Sequence, residues 1–484
     1  MSAPTIGPSY APPRRGTELL LTMFAVLIAV LAYAAVGLAV EDRVPSGTLG
    51  YGLGLGTLFL LAHLGVRRFA PHADPLILPC VALLNGLGLV MIRRLDFAAV
   101  ESAMQRGRDI PGGEAPRQLI WTAVGIVAFL GVLGIVRDHT RLQRYTYTAA
   151  AAGLVLLLLP ALPVLGQTIN GARLWIRFAG FTVQPSELAK LLLIVFFAGY
   201  LVSKRDVLSL ASRRVVGIDL PRGRDLGPVL IAWGASLAVL IRGKDLGSSL
   251  LFFALFVVML YIATERTSWL LIGLGLFVGG ALVAYRLFAH VERRVDTWLD
   301  PFADPDSAGF QLVQSLFGFG TGGLTGTGLG EGRPGVVPFA STDFIMAAIG
   351  EELGLVGVMA VLLVFGLIVE RGLRAALSCR DSFGKLLAAG LSFSLALQVF
   401  VIVGGVTGLI PLTGVTLPWL SYGGSSIVSN WMLVALLLRV SDAARRPAPA
   451  PVTPAVARQA LESAQTQVVR RPKVASGDSP AGAS

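Results

Sequence analysis

Cysteine is nearly absent from the 484 residues, with Cys80 and Cys379 the only two. One sits in an apolar run and the other in a short polar segment, so they provide neither a disulfide framework nor metal-ligand spacing. Charge is also scarce: 14% of residues are Asp, Glu, Lys or Arg, against about 25% in an ordinary soluble domain. No zinc, haem or iron–sulfur ligand set occurs, and no phosphate-binding loop or nucleophile elbow, which argues against hydrolysis of a cytoplasmic nucleotide. Short-period repeats and two matching halves are missing too, which lowers the expectation of a transporter built from inverted repeats.

The chain is instead apolar, with 54% hydrophobic residues and 57 Gly, and a mean hydropathy of +0.72. Runs near twenty residues long are the signature of membrane-crossing helices. They predict an all-α polytopic membrane protein of about 12 transmembrane helices. The expected spans are 17–40, 48–66, 75–92, 118–136, 146–165, 185–202, 226–241, 247–264, 268–289, 343–369, 384–406 and 424–440. The seventh is the weakest, short and with a Pro near its start. The first follows Arg14 and Arg15 but is too long for a signal peptide and is read as retained.

A net charge of +11 and a pI of 10.1 could suggest nucleic acid. The cations, however, lie between the apolar runs rather than in one patch. With both termini placed in the cytoplasm, the segments on that side hold 25 of the 40 Lys and Arg, as the positive-inside rule requires. This orientation puts residues 166–184 and the long segment 290–342 outside, and no nucleic acid is expected. The Ala/Pro/Ser/Arg-rich tail from 441 cannot bury a core and reads as a disordered cytoplasmic segment.

The informative polar residues fall in those outer segments. Arg173 and Arg177 flank Trp175, either as an interfacial belt facing headgroups or as a bidentate site for a diphosphate. Glu187 and Lys190 share a helix face, either as a locking ion pair or as the wall of a polar cavity. Asp245 sits at a helix edge, and Asp343 opens a span whose dipole it could simply stabilise. Four aspartates lie between Asp296 and Asp306, two of them before Pro, where turn formation is the plainer role. Gly318-Phe-Gly320-Thr-Gly322-Gly323 formally matches a dinucleotide fingerprint but lacks the strand and the acid that would support it. Ser421, Gly423 and Gly424 belong to a Pro/Gly-rich turn before the last span.

Taken in order, GARLWIRF (171–178), QPSELAK (184–190), KDLGSS (244–249), DPFADPDSAGFQLVQS (300–315), TDF (342–344), GEELGLVG (350–357) and PLTGVTLPWLSYGGSS (411–426) resemble the SEDS family of shape, elongation, division and sporulation proteins. The resemblance covers about 75–440. It implies a core of about ten spans, with residues 17–74 as two additional helices, 1–16 and 441–484 as cytoplasmic ends, and 290–342 as the outer loop. It also implies a peptidoglycan glycosyltransferase of the cytoplasmic membrane that polymerises lipid II on its outer face beside a class B penicillin-binding protein. The family's catalytic aspartate carries over to Asp304. Arg173, Trp175, Arg177, Glu187, Lys190, Asp245, Asp343, Ser421, Gly423 and Gly424 carry over as substrate-binding positions. No resident cofactor or metal site is implied, and a divalent cation, Mg²⁺ or Mn²⁺, is the one group left open. Lys244 stands where the family usually has Pro, and Ala340-Ser341 precede Thr342-Asp343 where a Glu/Asn-x-His sequence is common. The first two spans and the stretch 402–414 are similar to the actinobacterial RodA type, which favours elongation over division. A lipid II flippase and a non-catalytic scaffold are the alternative readings.

Overall fold

The computed structural model describes residues 15–447 except 170–171, 179–180 and scattered positions between 210 and 244. Its long helices are α1 (Arg15–Glu41), α2 (Thr48–Phe69), α3 (Ile77–Gln105), α4 (Glu114–Ile135), α5 (Thr146–Leu158), α6 (Pro185–Ser209), α7 (Leu246–Thr264) and α8 (Ser268–Leu287). Two short helices, α9 (Ala289–Leu299) and α10 (Phe310–Gly322), precede α11 (Ile345–Ser378), α12 (Ser382–Val406) and α13 (Gly424–Arg445). Among the described residues, eleven helices are long and apolar enough to cross a membrane, that of α5 including the 3-10 turns at its two ends. The seventh expected span, 226–241, is described only in part, its described positions all helical, while the N-terminal segment up to residue 14 and the tail from 448 lie outside the described residues.

Helix boundaries follow local chemistry. Pro185 opens α6, where a missing N–H costs nothing. Asp245 and Asp381 cap α7 and α12, accepting from Ser248 N at 2.9 Å and Gly384 N at 2.6 Å. α13 continues through residues 441–445, which the sequence assigned to the tail. Asp442 accepts from His72 N at 2.8 Å and the Ser441 hydroxyl from Asp74 N at 3.0 Å, so tertiary partners extend the helix past the apolar run.

α11 is broken at Gly354, whose φ of 65° suits glycine alone. The backbone groups released there are taken up by the chain leaving α10. Leu355 N donates to Gly323 O at 2.9 Å, Thr327 N to Glu351 O at 3.0 Å and Gly328 N to Glu352 O at 3.0 Å. Irregular backbone at membrane depth is tolerated only when such partners exist. The break therefore anchors the middle of the 290–342 segment, which holds two helices and a 3-10 turn rather than a loose loop.

Segment 166–184 forms a three-stranded antiparallel sheet, β1 (Gly166–Ile169), β2 (Ala172–Phe178) and β3 (Phe181–Val183), in sequential order. Gln167 pairs with Trp175 and Arg177 with Thr182. A second hairpin joins β4 (Arg213–Val215) to β5 (Ile218–Leu220). The sequence reading held no strands, because an interfacial hairpin with Arg, Trp and Thr has no clean apolar alternation.

A large apolar core runs through the helices, with α3, α6 and α13 the most buried of the candidate spans, and a smaller cluster of Ala32, Tyr33, Val36 and Val90 joins α1 to α3. Trp431 of α13 packs edge-on against Phe129 (centroids 5.3 Å apart) and against Phe59 at 5.8 Å. At the base, where α1 begins and α13 ends, buried ions tie helices together. Arg15 pairs with Glu18 and donates to the carbonyls of Ala70, Pro71 and Ala73 at 2.8–2.9 Å, while Glu18 meets His63 at 2.8 Å. Asp74 pairs with Arg445, with Arg371 3.9 Å away.

Candidate active site

At the opposite end of the bundle the loops enclose a chamber of about 830 Å³. Trp175 of β2, Glu187 of α6, Asp245 at the head of α7, Arg294 of α9, Asp343 before α11 and Gly424 of α13 all face it. These groups lie as far as 249 positions apart in the chain.

The polar wall is built from interlocking backbone contacts. Gln118 of α4 donates to Ser421 O at 3.0 Å and accepts from Gly423 N at 3.2 Å. Ser421 is buried behind the wall; its hydroxyl donates to Thr342 O at 2.5 Å and accepts from Leu417 N at 2.9 Å. It thereby couples the turn before α13 to the residue preceding Asp343. Gln184 N donates to the Ser425 hydroxyl at 2.8 Å, and Ser429 donates to Glu187 O at 2.7 Å, so α6 and α13 hold each other in register. A Cβ on Gly424 would run into the Trp121 indole, which is why this corner needs glycine.

The charged groups divide into paired and open ones. Lys190 Nζ donates to Glu187 at 3.1 Å and to Gln398 at 2.8 Å, all three buried. The pair is thus neutralised within the helices, and only Glu187 reaches the chamber. Asp245 uses one oxygen for its cap, while the other is buried and accepts no hydrogen bond from the described residues. Burial raises its pKa, opposed by Ser248 and Arg294 and reinforced by Glu187. Burial also pushes Asp343 up to about 6, against the pull of Arg294. Arg294 Nη1 donates to Leu412 O at 3.1 Å and Thr413 O at 3.3 Å.

A second cavity of about 340 Å³ shares Arg294, Asp343 and Gly414 with the chamber and reaches Ala308. The Asp304 carboxylate accepts from Ala308 N at 3.3 Å, and its carbonyl accepts from Gly309 N at 2.9 Å. Asp304 is exposed in the turn at the rim of this second cavity and does not line the main one. Arg173 and Arg177 do not line it either. Arg173 turns back to Leu162 O at 2.9 Å, in the turn before β1, and Arg177 is exposed.

The structure also brings in Arg117, Gln118, Arg294, Gln398 and Thr413, which the sequence reading did not select. Gln398 had left a trace, as an amide in the middle of an apolar run. Among the described residues, the one group of three or more ligand-type side chains within 4.8 Å is His139, Cys379 and Asp381, at the base. There Asp381 meets His139 Nε2 at 2.8 Å and accepts from Cys379 Sγ at 3.1 Å and Gly384 N at 2.6 Å. Burial pushes the Cys379 thiol up to about 12, so it is protonated and serves the cap.

Residues 75–446 match the family model of the FtsW, RodA and SpoVE proteins, described as cell cycle protein. A peptidoglycan glycosyltransferase RodA of Mycobacterium tuberculosis is 54% identical over 448 residues, covering 92% of this chain and 94% of that one. A probable peptidoglycan glycosyltransferase FtsW of Geobacter metallireducens is 38% identical over 330 residues, covering 67% and 84%. In a solved peptidoglycan synthase complex that coordinates polymerization and crosslinking, one chain superposes with a TM-score of 0.59 at 27% identity, covering 76% of this chain and 97% of that one. The helices, their order and these likenesses together place the chain in the FtsW/RodA/SpoVE family, as a multi-pass membrane protein with the activity of a peptidoglycan glycosyltransferase.

Proposed function

We propose that the protein polymerises lipid II on the outer face of the cytoplasmic membrane, with both termini inside, in the synthesis of wall for elongation. The observation that carries this reading is a chamber and a second cavity with one wall in common, where two large substrates can meet. The excess of Lys and Arg on the side of the termini supports the orientation. The identity to mycobacterial RodA, higher than that to FtsW, supports elongation. A class B penicillin-binding protein as partner follows from likeness to a chain in a complex that couples polymerisation to crosslinking.

Converting an α-linked sugar diphosphate into a β-linked glycan takes one in-line displacement. The acceptor hydroxyl oxygen attacks the anomeric carbon, its proton passes to a base, and the carbon–oxygen bond to the diphosphate breaks with its electron pair leaving on phosphate oxygen. Asp304 is the base in this reading, exposed at the rim of the second cavity. Trp175, Glu187, Asp245 and Asp343 orient the disaccharide. Ser421, Gly423 and Gly424 shape the wall, Lys190 fixes Glu187, and Arg173 and Arg177 stand on the neighbouring sheet toward the headgroups.

Purified protein with its transpeptidase partner should make glycan polymer from lipid II in detergent, where a flippase has no leaflets to connect. Asp304→Asn should cut the rate by about 10²–10⁴-fold, the usual contribution of a general base, without dissociating the partner. Polymer formation at the normal rate in that variant would overturn the assignment.

A further inference from the structure

Three cations, Arg173, Arg177 and Lys190, are the ones that sequence offers to a diphosphate. Lys190 is consumed by Glu187 and Gln398, while Arg173, turned back to Leu162 O, and Arg177 do not line the chamber. The cations that do line it, among the described residues, are Arg117 and Arg294. Arg117 stands on the boundary with a third cavity, away from the Asp304 turn. Arg294 stands on the wall shared with the cavity that this turn borders.

We propose that Arg294 forms a diphosphate-binding subsite on that shared wall and grips the departing lipid diphosphate of the glycosyl donor. The proposal rests on the polymerase reading above and adds the leaving-group side of the reaction. Two carbonyls, Leu412 O and Thr413 O, hold Nη1 and so fix the direction of the guanidinium. Nε and Nη2 make no hydrogen bond to the described residues, and two parallel N–H groups are the fork that binds two phosphate oxygens at once. A guanidinium also stays charged throughout the reaction, so it can meet charge developing on the leaving oxygen without exchanging a proton. Asp245 and Asp343 are the acids that pull on Arg294. The proton still goes to Asp304, and Arg294 only donates hydrogen bonds to the oxygen that takes the electron pair.

Arg294→Gln removes the charge, while Arg294→Lys keeps it and loses the fork. The test measures the inhibition constant of undecaprenyl diphosphate alongside kcat and KM for lipid II. Arg294→Gln should weaken product inhibition at least tenfold and lower kcat about a hundredfold, with Arg294→Lys between it and the parent. A fall in kcat with product inhibition unchanged would mean that Arg294 only braces the 412–413 turn, and would overturn the proposal. Unchanged kinetics would overturn it equally. If Arg294→Gln fails to fold, Arg294→Lys carries the same comparison. Binding of labelled undecaprenyl diphosphate needs no turnover, so a parent protein that binds product without polymerising defeats the polymerase reading alone. A parent that polymerises with no dependence of product binding on Arg294 defeats the subsite alone.

Discussion

The two ends of this helical bundle use buried charge in opposite ways. At the base, Arg15, Glu18 and His63 form one closed group, and Asp74, Arg371 and Arg445 form another. Arg439 adds hydrogen bonds to Phe69 O, at 2.5 Å, and to Leu133 O. At the chamber end, one Asp245 oxygen is left without a hydrogen bond from the described residues, and Asp343 and Arg294 face a cavity. Charges in a low-dielectric interior are tolerated when paired. Leaving them open costs stability, and a site that recognises a charged headgroup is a reason to do so. Facing a cavity, rather than burial or a missing hydrogen bond, therefore separates functional from structural ions, since Arg371 Nε at the base is also buried without a hydrogen bond to the described residues.

Breaking the base should cost the most in stability. Asp74→Ala removes the buried carboxylate that Arg445 and Arg371 share and that accepts from Leu76 N, and because Arg445 reaches solvent and Arg371 keeps Glu370 the cost should be about 1.5–3 kcal/mol, the usual worth of hydrogen bonds to a charged group. The melting temperature in detergent should fall by several degrees, while the rate per folded molecule stays near that of the parent. A large loss of rate with unchanged melting would blur the distinction.

Glu187→Gln probes the intermediate case, a chamber acid that is also paired. It should lose rate and stability together, because Lys190 keeps only Gln398 as a partner. If melting is unchanged, the pair belongs with the open groups.

Asp343→Asn should show the reverse of the base. Burial holds the Asp343 carboxyl at about 6, so it is charged and drawn to Arg294 above that pH and neutral below it. The parent kcat/KM should fall on the acid side of pH 6, and the Asn variant should be slower and lack that limb. The raised pKa also makes the ionised form a cost to folding that begins above the ordinary carboxylate range and is complete above pH 6. At pH 8 the Asn variant should therefore melt no lower than the parent, and a drop would show that Asp343 is structural.

The smallest effect belongs to Arg205→Ala. Its pair with Glu265 at 2.8 Å is exposed and screened, so the change should stay within about 0.5 kcal/mol with no change in rate.

The residues that can be picked out of the sequence are those whose chemistry is unusual for their surroundings. Glu187 and Lys190 stand out in an apolar run, and Asp245 and Asp343 stand out at helix edges. All four then prove to face or back the chamber. Arg294 could not be distinguished from Arg293 beside it, because adjacent positions on a helix point in different directions and only packing decides which meets the 412–413 turn. The hairpin of 166–183 was hidden because its strands are held by each other rather than by an alternating apolar face. The extension of α13 to Arg445 was hidden because it depends on Asp442 meeting His72, 370 positions earlier.

By itself, the sequence determined the membrane-crossing character and the order of eleven of the expected spans. These depend on hydropathy and charge, which act on each segment locally. Only the tertiary structure decided which ions are closed pairs and which face a cavity. That outcome depends on whether side chains from distant helices come within hydrogen-bond reach, and packing alone settles it.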